Sequence, residues 1–422
     1  MSVEMFDMPD DWEVISLGEV NTLKSRSLVP GSFPDEEFEY YSIPDYQNGQ
    51  KPSIAEGKTI ASAKLQLKPR SVLFGKLNPR VEKVWRVGPV AERRQIGSTE
   101  WIPVLPDERM DADFLYFMEW SDHVMPKAKK LVSGSTPSRQ RVDPSSFYKI
   151  RVPLPPIHEQ QRIAQVLSTV KQAIEHQERL IRTTTELKQA LMQKLFTEGL
   201  RGEAQKETEI GLVPESWEVS TMGAEAAITK LAGYEYTKHI QYTEEGEIIA
   251  VRGMNLKDGK LDLTEVKRIW RDVSDALPRS QLHPGDVLLS YVGTVGSVAL
   301  IAEDRKFHLA PNVAKLTSKD RKRLMPEYLL VYLRSDAGRS DLFRSVSKTS
   351  QPVISMARIR SLHLPLPGVE EQAAIVDTLG AVDGKLDAAN RKRNAYQDLF
   401  RTLLHELMTG KVRVGTPIPN IN

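Results

Sequence analysis

"PLPPIHEQQRIAQVL" runs from Pro153 to Leu167, and "PLPGVEEQAAIVDTL" runs from Pro365 to Leu379. Both open on Pro-Leu-Pro and pass through a Glu-Gln pair into a run of apolar residues spaced by threes and fours. Proline is tolerated in the first turn of a helix and not in its interior, so each stretch reads as a helix start. After the first, no Gly or Pro occurs from Ile157 to Glu198, and Gly199 follows as a stop. Ile163, Leu167, Val170, Ile174, Ile181, Leu191 and Leu195 form one stripe, with Gln177, Thr184 and Lys188 as polar interruptions. The second helix keeps the same register with Ile375, Leu379, Val382, Leu386, Ala389, Tyr396, Phe400, Leu403 and Leu407, interrupted by Arg393. Gly380 and Gly384 weaken its early part. A 3-4 apolar repeat sustained this long is a coiled-coil seam. Either each helix packs on its own domain, or the two pack on each other, antiparallel, as a spacer roughly 60 Å long. The shared register favours the second arrangement.

Outward from the helices, the chain repeats itself. "PDDWEVISLGEV" (Pro9–Val20) resembles "PESWEVSTMGAE" (Pro214–Glu225), and "NGQ" at Asn48–Gln50 matches "DGK" at Asp258–Lys260. "KPRSVLFGKL" (Lys68–Leu77) matches "HPGDVLLSYV" (His283–Val292), and "ADFLYFME" (Ala112–Glu119) matches "PEYLLVYL" (Pro326–Leu333). Each half has an entry tryptophan, a stretch rich in Val, Ile, Tyr, Gly and Pro that reads as a mainly β domain, and then a long helix. A period of half the chain is too long for a solenoid and implies a pseudo-twofold molecule. The expected fold class is α+β: two mainly β globular domains separated by two long antiparallel coiled-coil helices. The expected boundaries are 1–152 for the first domain, 153–200 for the central helix, 201–364 for the second domain, 365–411 for the C-terminal helix and 412–422 for a tail.

Composition narrows the function classes. The 422 residues carry 58 Lys and Arg against 56 Asp and Glu, so any anion-binding face is a local patch. There is no cysteine, which removes disulfides and thiolate metal sites and suits a reducing cytoplasm. The N-terminus "MSVEMFDMPDDWEV" is acidic and has no apolar core, so no signal peptide is expected. The longest uncharged run, Val287–Ala302, is too short for a bilayer and contains Gly293 and Gly296. It reads as strand–turn–strand, and a soluble protein is expected.

Several short matches to catalytic motifs fail on their context. "HEQQR" at His158–Arg162 lacks the second histidine of a zinc-protease motif, and "STVK" at Ser168–Lys171 lies inside a seamed helix. Asp45, Glu56 and Lys58 have the look of a metal-dependent nuclease core. The repeat places Asn255, Val266 and Arg268 at those positions, and these cannot bind metal alike. There is no GxGxxG, Walker A or GxSxG pattern. No catalytic residue, cofactor site or metal site is expected on this chain.

Loops carrying turn residues and cations recur at matching places. "GKLNPRVEKVWR" (Gly75–Arg86) offers Lys76, Asn78, Arg80, Lys83 and Arg86, and "SGSTPSRQRVD" (Ser133–Asp143) offers Ser135, Thr136, Arg139, Gln140 and Arg141. In the second half, "SYVGTVGS" (Ser290–Ser297) supplies Tyr291 and Thr294, and "SKTSQPVIS" (Ser347–Ser355) supplies Lys348, Thr349, Ser350 and Gln351. Arg252, in "VRGMNLKDG", joins this set. Arg and Gln can read base edges bidentately, while Lys, Ser and Thr suit phosphates. Two unequal DNA-reading surfaces are one reading, and ordinary solvated loops are the other.

These stretches carry a family resemblance. "YYSIPDYQNG", "VLFGKLNPRVEKVW", "GSTPSRQRV", "VPLPPIHEQQRI", "VRGMNLKDG" and "LPLPGVEEQAAI" resemble the specificity subunit of type I restriction-modification systems, over nearly the whole chain. The resemblance implies two target recognition domains, each reading one half of an asymmetric, bipartite site in double-stranded DNA. It implies two modification subunits that bring S-adenosylmethionine and dock on the helices, and two restriction subunits that bring ATP and Mg. Tyr291, Val292 and Gly293 stand where the first half has Lys76, Leu77 and Asn78, so the two half-sites should differ. The alternatives are a protein-only coiled-coil scaffold and the nuclease of Asp45, Glu56 and Lys58.

Overall fold

The computed structural model describes residues 8–24, 26–134, 136–304, 306–344 and 352–414. Lys348, Ser350 and Gln351, with Ser135 and Thr349, lie outside the described residues. The chain divides into two compact units, one taking the chain up to Glu178 together with Arg391 onward, the other Arg179–Asn390. Each unit therefore holds one β domain and about half of each long helix.

In the first unit a five-stranded sheet runs in the order Ser27–Leu28, Lys64–Gln66, Arg94–Gly97, Glu37–Tyr41, Ser53–Glu56. Glu37–Tyr41 and Arg94–Gly97 pair in parallel. A three-stranded sheet sets Val72–Gly75 between Val84–Arg86 and Trp101–Val104. A ribbon of Glu13–Ser16 with Arg151–Leu154 ties the entry strand to the strand that feeds the central helix.

The second unit follows the same plan. Ile248–Val251 pairs in parallel with Phe307–Leu309. Val287–Ser290 lies between Val298–Leu300 and Val313–Ser318, the strand–turn–strand expected of Val287–Ala302. Glu218–Thr221 pairs with His363–Leu366 just before the C-terminal helix. Helices Ala112–Trp120 and Pro326–Arg334 are the matched "ADFLYFME" and "PEYLLVYL" segments, each nine residues long.

The central helix spans Ile157–Glu198, between the start and stop that the prolines and Gly199 signal. The C-terminal helix spans Val369–Met408 and runs unbroken through Gly380 and Gly384. In the first unit Ile163 and Leu167, at the start of the central helix, share a core with Leu407 and Met408 at the end of the other, and the Phe117 and Phe400 rings lie 6.0 Å apart. In the second unit Leu195 and Phe196 share a core with Ile375 and Leu379. Start meets end in both units, so the pairing is antiparallel.

Every seam residue is buried or half-buried: Ile163, Leu167, Leu195, Ile375, Leu379 and Leu407 fully, and Val170, Ile174, Ile181, Leu191, Val382, Leu386, Tyr396, Phe400 and Leu403 in part. The two packing alternatives are both realised. The seam's ends are core residues of the β domains, beside Trp12 and Phe114 in one and Trp217 and Tyr328 in the other, while its middle is less deeply buried.

The repeated Glu-Gln pair is the joint. Gln160 is fully buried; its Oε1 accepts from Asp111 N at 2.8 Å, and its Nε2 donates to Arg109 O at 2.8 Å and Pro155 O at 2.7 Å. Gln372, equally buried, accepts from Met325 N at 2.9 Å and donates to Arg323 O at 2.7 Å and Pro367 O at 3.0 Å. Each glutamine thus satisfies the backbone at the start of the nine-residue helix and pins it to the start of a long one.

Glu159 accepts from Trp12 Nε1 at 3.1 Å and from Arg413 at 2.6 and 2.7 Å, while Glu371 accepts from Leu200 N at 3.0 Å. The chain leaving each long helix turns through a left-handed glycine, Gly199 (φ 64°) or Gly410 (φ 73°). A Cβ on Gly410 would lie 2.4 Å from Pro9, and one on Gly199 would lie 3.0 Å from Pro214, so both turns demand glycine against the "PDDW" and "PESW" entries. Among the described residues no helix is long and apolar enough to cross a membrane.

Candidate nucleic-acid interface

The structure brings the paired loops together in each domain. In the first, the turn after Val72–Gly75 meets the segment 139–142. Asn78 N donates to Gln140 O at 2.8 Å, Val142 N donates to Lys76 O at 3.0 Å, and Leu77 bridges Arg141. In the second, Gly293 N donates to Pro352 O at 3.2 Å, Ile354 N donates to Tyr291 O at 2.9 Å, and Val292 bridges Val353. The same main-chain frame is built twice. Asn78 and Gly293 share a left-handed conformation, φ 48° and 76°. The alignment of Lys76-Leu77-Asn78 with Tyr291-Val292-Gly293 therefore holds in three dimensions.

The side chains on these frames differ. Arg80 and Arg139 are exposed and have no ion pair among the described residues, and Lys76 is half-buried. Gln140 donates to Gly134 O at 3.3 Å. Arg141 is engaged by Glu100 through Nε and Nη2, both at 3.1 Å, and this carboxylate holds its pKa above the ordinary arginine value.

On the second frame Tyr291 is half-buried, and burial raises its hydroxyl pKa. The Lys230 ammonium lies 5.8 Å above its ring, a cation–π distance. Thr294 is exposed, its Oγ1 3.3 Å from Ser290 Oγ.

Two expected contact residues take other roles. Lys83 is 4 % exposed and its ammonium donates inward to Val81 O, so it is not presented to a ligand. Arg252 folds back on Glu265, with Nη2 3.2 Å from that residue's carbonyl and 3.6 Å from its carboxylate, which leaves it only partly available. In a run of cations such as 76–86, sequence does not mark which one turns inside. The sequence marks the joint glutamines as helix starts and does not assign them the clamping role that the structure gives them. The signal was present, because Glu-Gln is the one polar pair identical in both copies.

The residues of the nuclease alternative are occupied structurally. Asp45 Oδ2 accepts from Ser42 Oγ at 2.6 Å and Ser53 Oγ at 2.8 Å, and Glu56 pairs with Lys58 at 2.6 Å. Asn255 takes the place of Asp45, donating to Asp262 O at 2.9 Å and Glu265 O at 2.8 Å. The rest of that alignment needs correcting. Tyr40 pairs with Ser53 and Ala250 with Lys267, so Trp270, not Val266, is the second-domain equivalent of Glu56. Sheet register decides this, and a gapped sequence match does not see it. Among the described residues no group of three or more Asp, Glu or His is placed to hold a metal ion.

The repeat and its two loop frames define a two-headed recognition protein, and comparison with known proteins says which. The model of the type I restriction modification DNA specificity domain matches residues 9–183 and again 214–395. The chain belongs to this family: it is the DNA-specificity subunit of a type I restriction-modification system, with two target recognition domains, and catalysis lies on other subunits.

The MjaVIII specificity subunit of Methanocaldococcus jannaschii is 24 % identical over 419 residues, 96 % of this chain and 94 % of the relative. The EcoBI specificity subunit of Escherichia coli is 22 % identical over 286 residues, 64 % of this chain and 60 % of the relative. Among solved structures, the S subunit from M. genitalium superposes with a TM-score of 0.57 at 15 % identity, covering 96 % of this chain and 98 % of its own. A chain of a type I system solved to explain its assembly and conformational transition superposes with a TM-score of 0.59 at 21 % identity, covering 97 % of this chain and 100 % of its own.

Proposed function

We propose that each domain reads one half of a split, asymmetric site in double-stranded DNA, using the loop pair just described. The carrying observation is one main-chain frame built twice with different side chains on it. A shared frame suits one kind of ligand, and unlike side chains suit unlike sequences. On this reading Lys76, Asn78, Arg80, Arg139 and Gln140 face the first half-site, and Tyr291, Thr294, Lys348, Ser350 and Gln351 face the second. Arg141 joins them only by releasing Glu100.

Two modification subunits carrying S-adenosylmethionine dock on the helices, two restriction subunits carry ATP and Mg, and the assembly works in the cytoplasm. A pseudo-repeated chain can recruit two copies of one partner while its two heads read different sequences. The recognition domains are 1–152 and 201–364, the spacer helices 153–200 and 365–411.

The test is methylome sequencing of a methylation-deficient host carrying this chain and its modification partner. The expected result is N6-methyladenine in one split, asymmetric motif, and replacing residues 1–150 with another domain changes only one half of it. Co-purification of the two proteins with no methylated motif would instead leave a protein-only scaffold.

The helix pair also sets the gap between half-sites. Four residues inserted at facing points of both helices add roughly 6 Å and rotate the far end by about 40°. At about 3.4 Å per base pair, the gap in the methylated motif should lengthen by one or two base pairs. An unchanged gap in the mapped motif removes the spacer role.

A further inference from the structure

We propose that Lys83 is the positioning residue of the first domain's recognition loop, holding residues 76–82 from beneath in a preset shape while Arg80 points outward. This rests on the reading of that loop as DNA-facing. The side chain is 4 % exposed. Its Nζ donates to Val81 O at 2.5 Å and lies 3.4 Å from Asn78 O, so one ammonium bridges both arms of the turn. No carboxylate pairs with it among the described residues; the neighbouring Glu82 is taken by Lys129 at 2.5 Å. A buried cation with only carbonyl partners is costly unless those carbonyls converge on it, so loop shape and ammonium stabilise each other.

The strand beneath is made to fit. A Cβ on Gly75 would lie 2.7 Å from Lys83 Cβ and 2.8 Å from its Cε, so glycine there leaves the channel along which the lysine runs. Gly75 N also donates to Lys83 O at 2.8 Å.

The second domain lacks this device. Phe74 pairs with Val84 as Leu289 pairs with Val298, which sets Ser297 in the place of Lys83. There the turn is shaped by Gly293 (φ 76°) and Gly296 (φ 87°), with Ser290 Oγ donating to Val292 O at 3.3 Å. A loop fixed before binding loses less entropy on contact and discriminates more sharply. Loss of the ammonium should therefore blur one half-site and spare the other.

The experiment measures methylation of a randomised-site DNA library by the complex of this chain with its modification partner. Lys83→Met is expected to lower the rate at the cognate site roughly tenfold. It should broaden base tolerance in the half-site read by the first domain, with the second half-site's preference and the yield of complex unchanged. Lys83→Gln, which keeps N–H donors, should recover part of the preference. Arg80→Ala and Lys76→Ala test the underlying reading separately: if neither alters the first half-site, the loop does not face DNA. If they alter it while Lys83→Met changes neither rate nor tolerance, the positioning role is wrong. Loss of all methylation by both Lys83 variants, with loss of the domain's thermal transition, also overturns it, because Lys83 then serves the fold and not the loop.

Discussion

Replacing Gln160 or Gln372 with leucine is expected to destabilise the corresponding unit by about 3–5 kcal/mol, the result of stranding buried backbone groups. Each side chain is fully buried and satisfies one N–H and two carbonyls, at 2.8, 2.8 and 2.7 Å for Gln160 and 2.9, 2.7 and 3.0 Å for Gln372. Leucine nearly preserves the volume, so the loss reports hydrogen bonds and not a cavity. The partners are the start of the nine-residue helix and the proline segment before the long helix, so the damage falls on the junction between domain and rod. Urea unfolding should show a lowered midpoint at an unchanged slope. A loss below about 1 kcal/mol would mean that water replaces the amide and that the joint is held by packing alone.

The second large effect has the opposite sign. Glu119 lies on Ala112–Trp120 with no exposed surface, and neither carboxylate oxygen has a hydrogen-bond partner among the described residues. Burial pushes its pKa well above 4.5, so the folded chain holds the proton that an unfolded chain releases. Folding then takes up a proton above the unfolded pKa. The linked stability is present at low pH and falls as pH rises from about 4.5 toward the folded pKa, by up to roughly 1.4 kcal/mol per unit.

The matched helix of the second domain carries Leu333 at this place. Glu119→Leu is therefore expected to stabilise the first unit by about 1–3 kcal/mol at neutral pH, by removing an unsatisfied buried group. The gain should be larger at pH 8 than at pH 5. Urea melts of both proteins at the two pH values check this, and a pH-independent difference would show that the carboxyl reaches water.

The parts of the fold that sequence made readable are those governed by local rules. Prolines before Ile157 and glycine after Glu198 bound a helix because they act within a few residues of themselves. The match of Lys76-Leu77-Asn78 to Tyr291-Val292-Gly293 survived because the flanking strands are apolar runs of equal length. What escaped depends on contacts far apart in the chain. The 76–78 turn meets 140–142, and Arg141 meets Glu100, across long stretches of chain that only the fold brings together. Lys83 and Arg80 are both cations in one turn, and only the fold sends one inward and one outward. The shift from Val266 to Trp270 is an error of register, which strand pairing fixes and residue matching does not.

The glutamine joints touch main-chain atoms only. Asp111, Arg109, Met325 and Arg323 contribute amides and carbonyls there, not side chains. These hydrogen bonds make no demand on a head's side chains; the demand comes from Trp12, which donates to Glu159, and from Phe114, Trp217 and Tyr328, which share a core with the helix ends. A head's sequence can drift wherever it lies outside that apolar seat while the joint stays intact. A gene segment encoding a foreign head, spliced in ahead of Pro153 or Pro365, would meet a plug that already fits. New specificities could then be acquired by recombination in one step, with the rod left as it was.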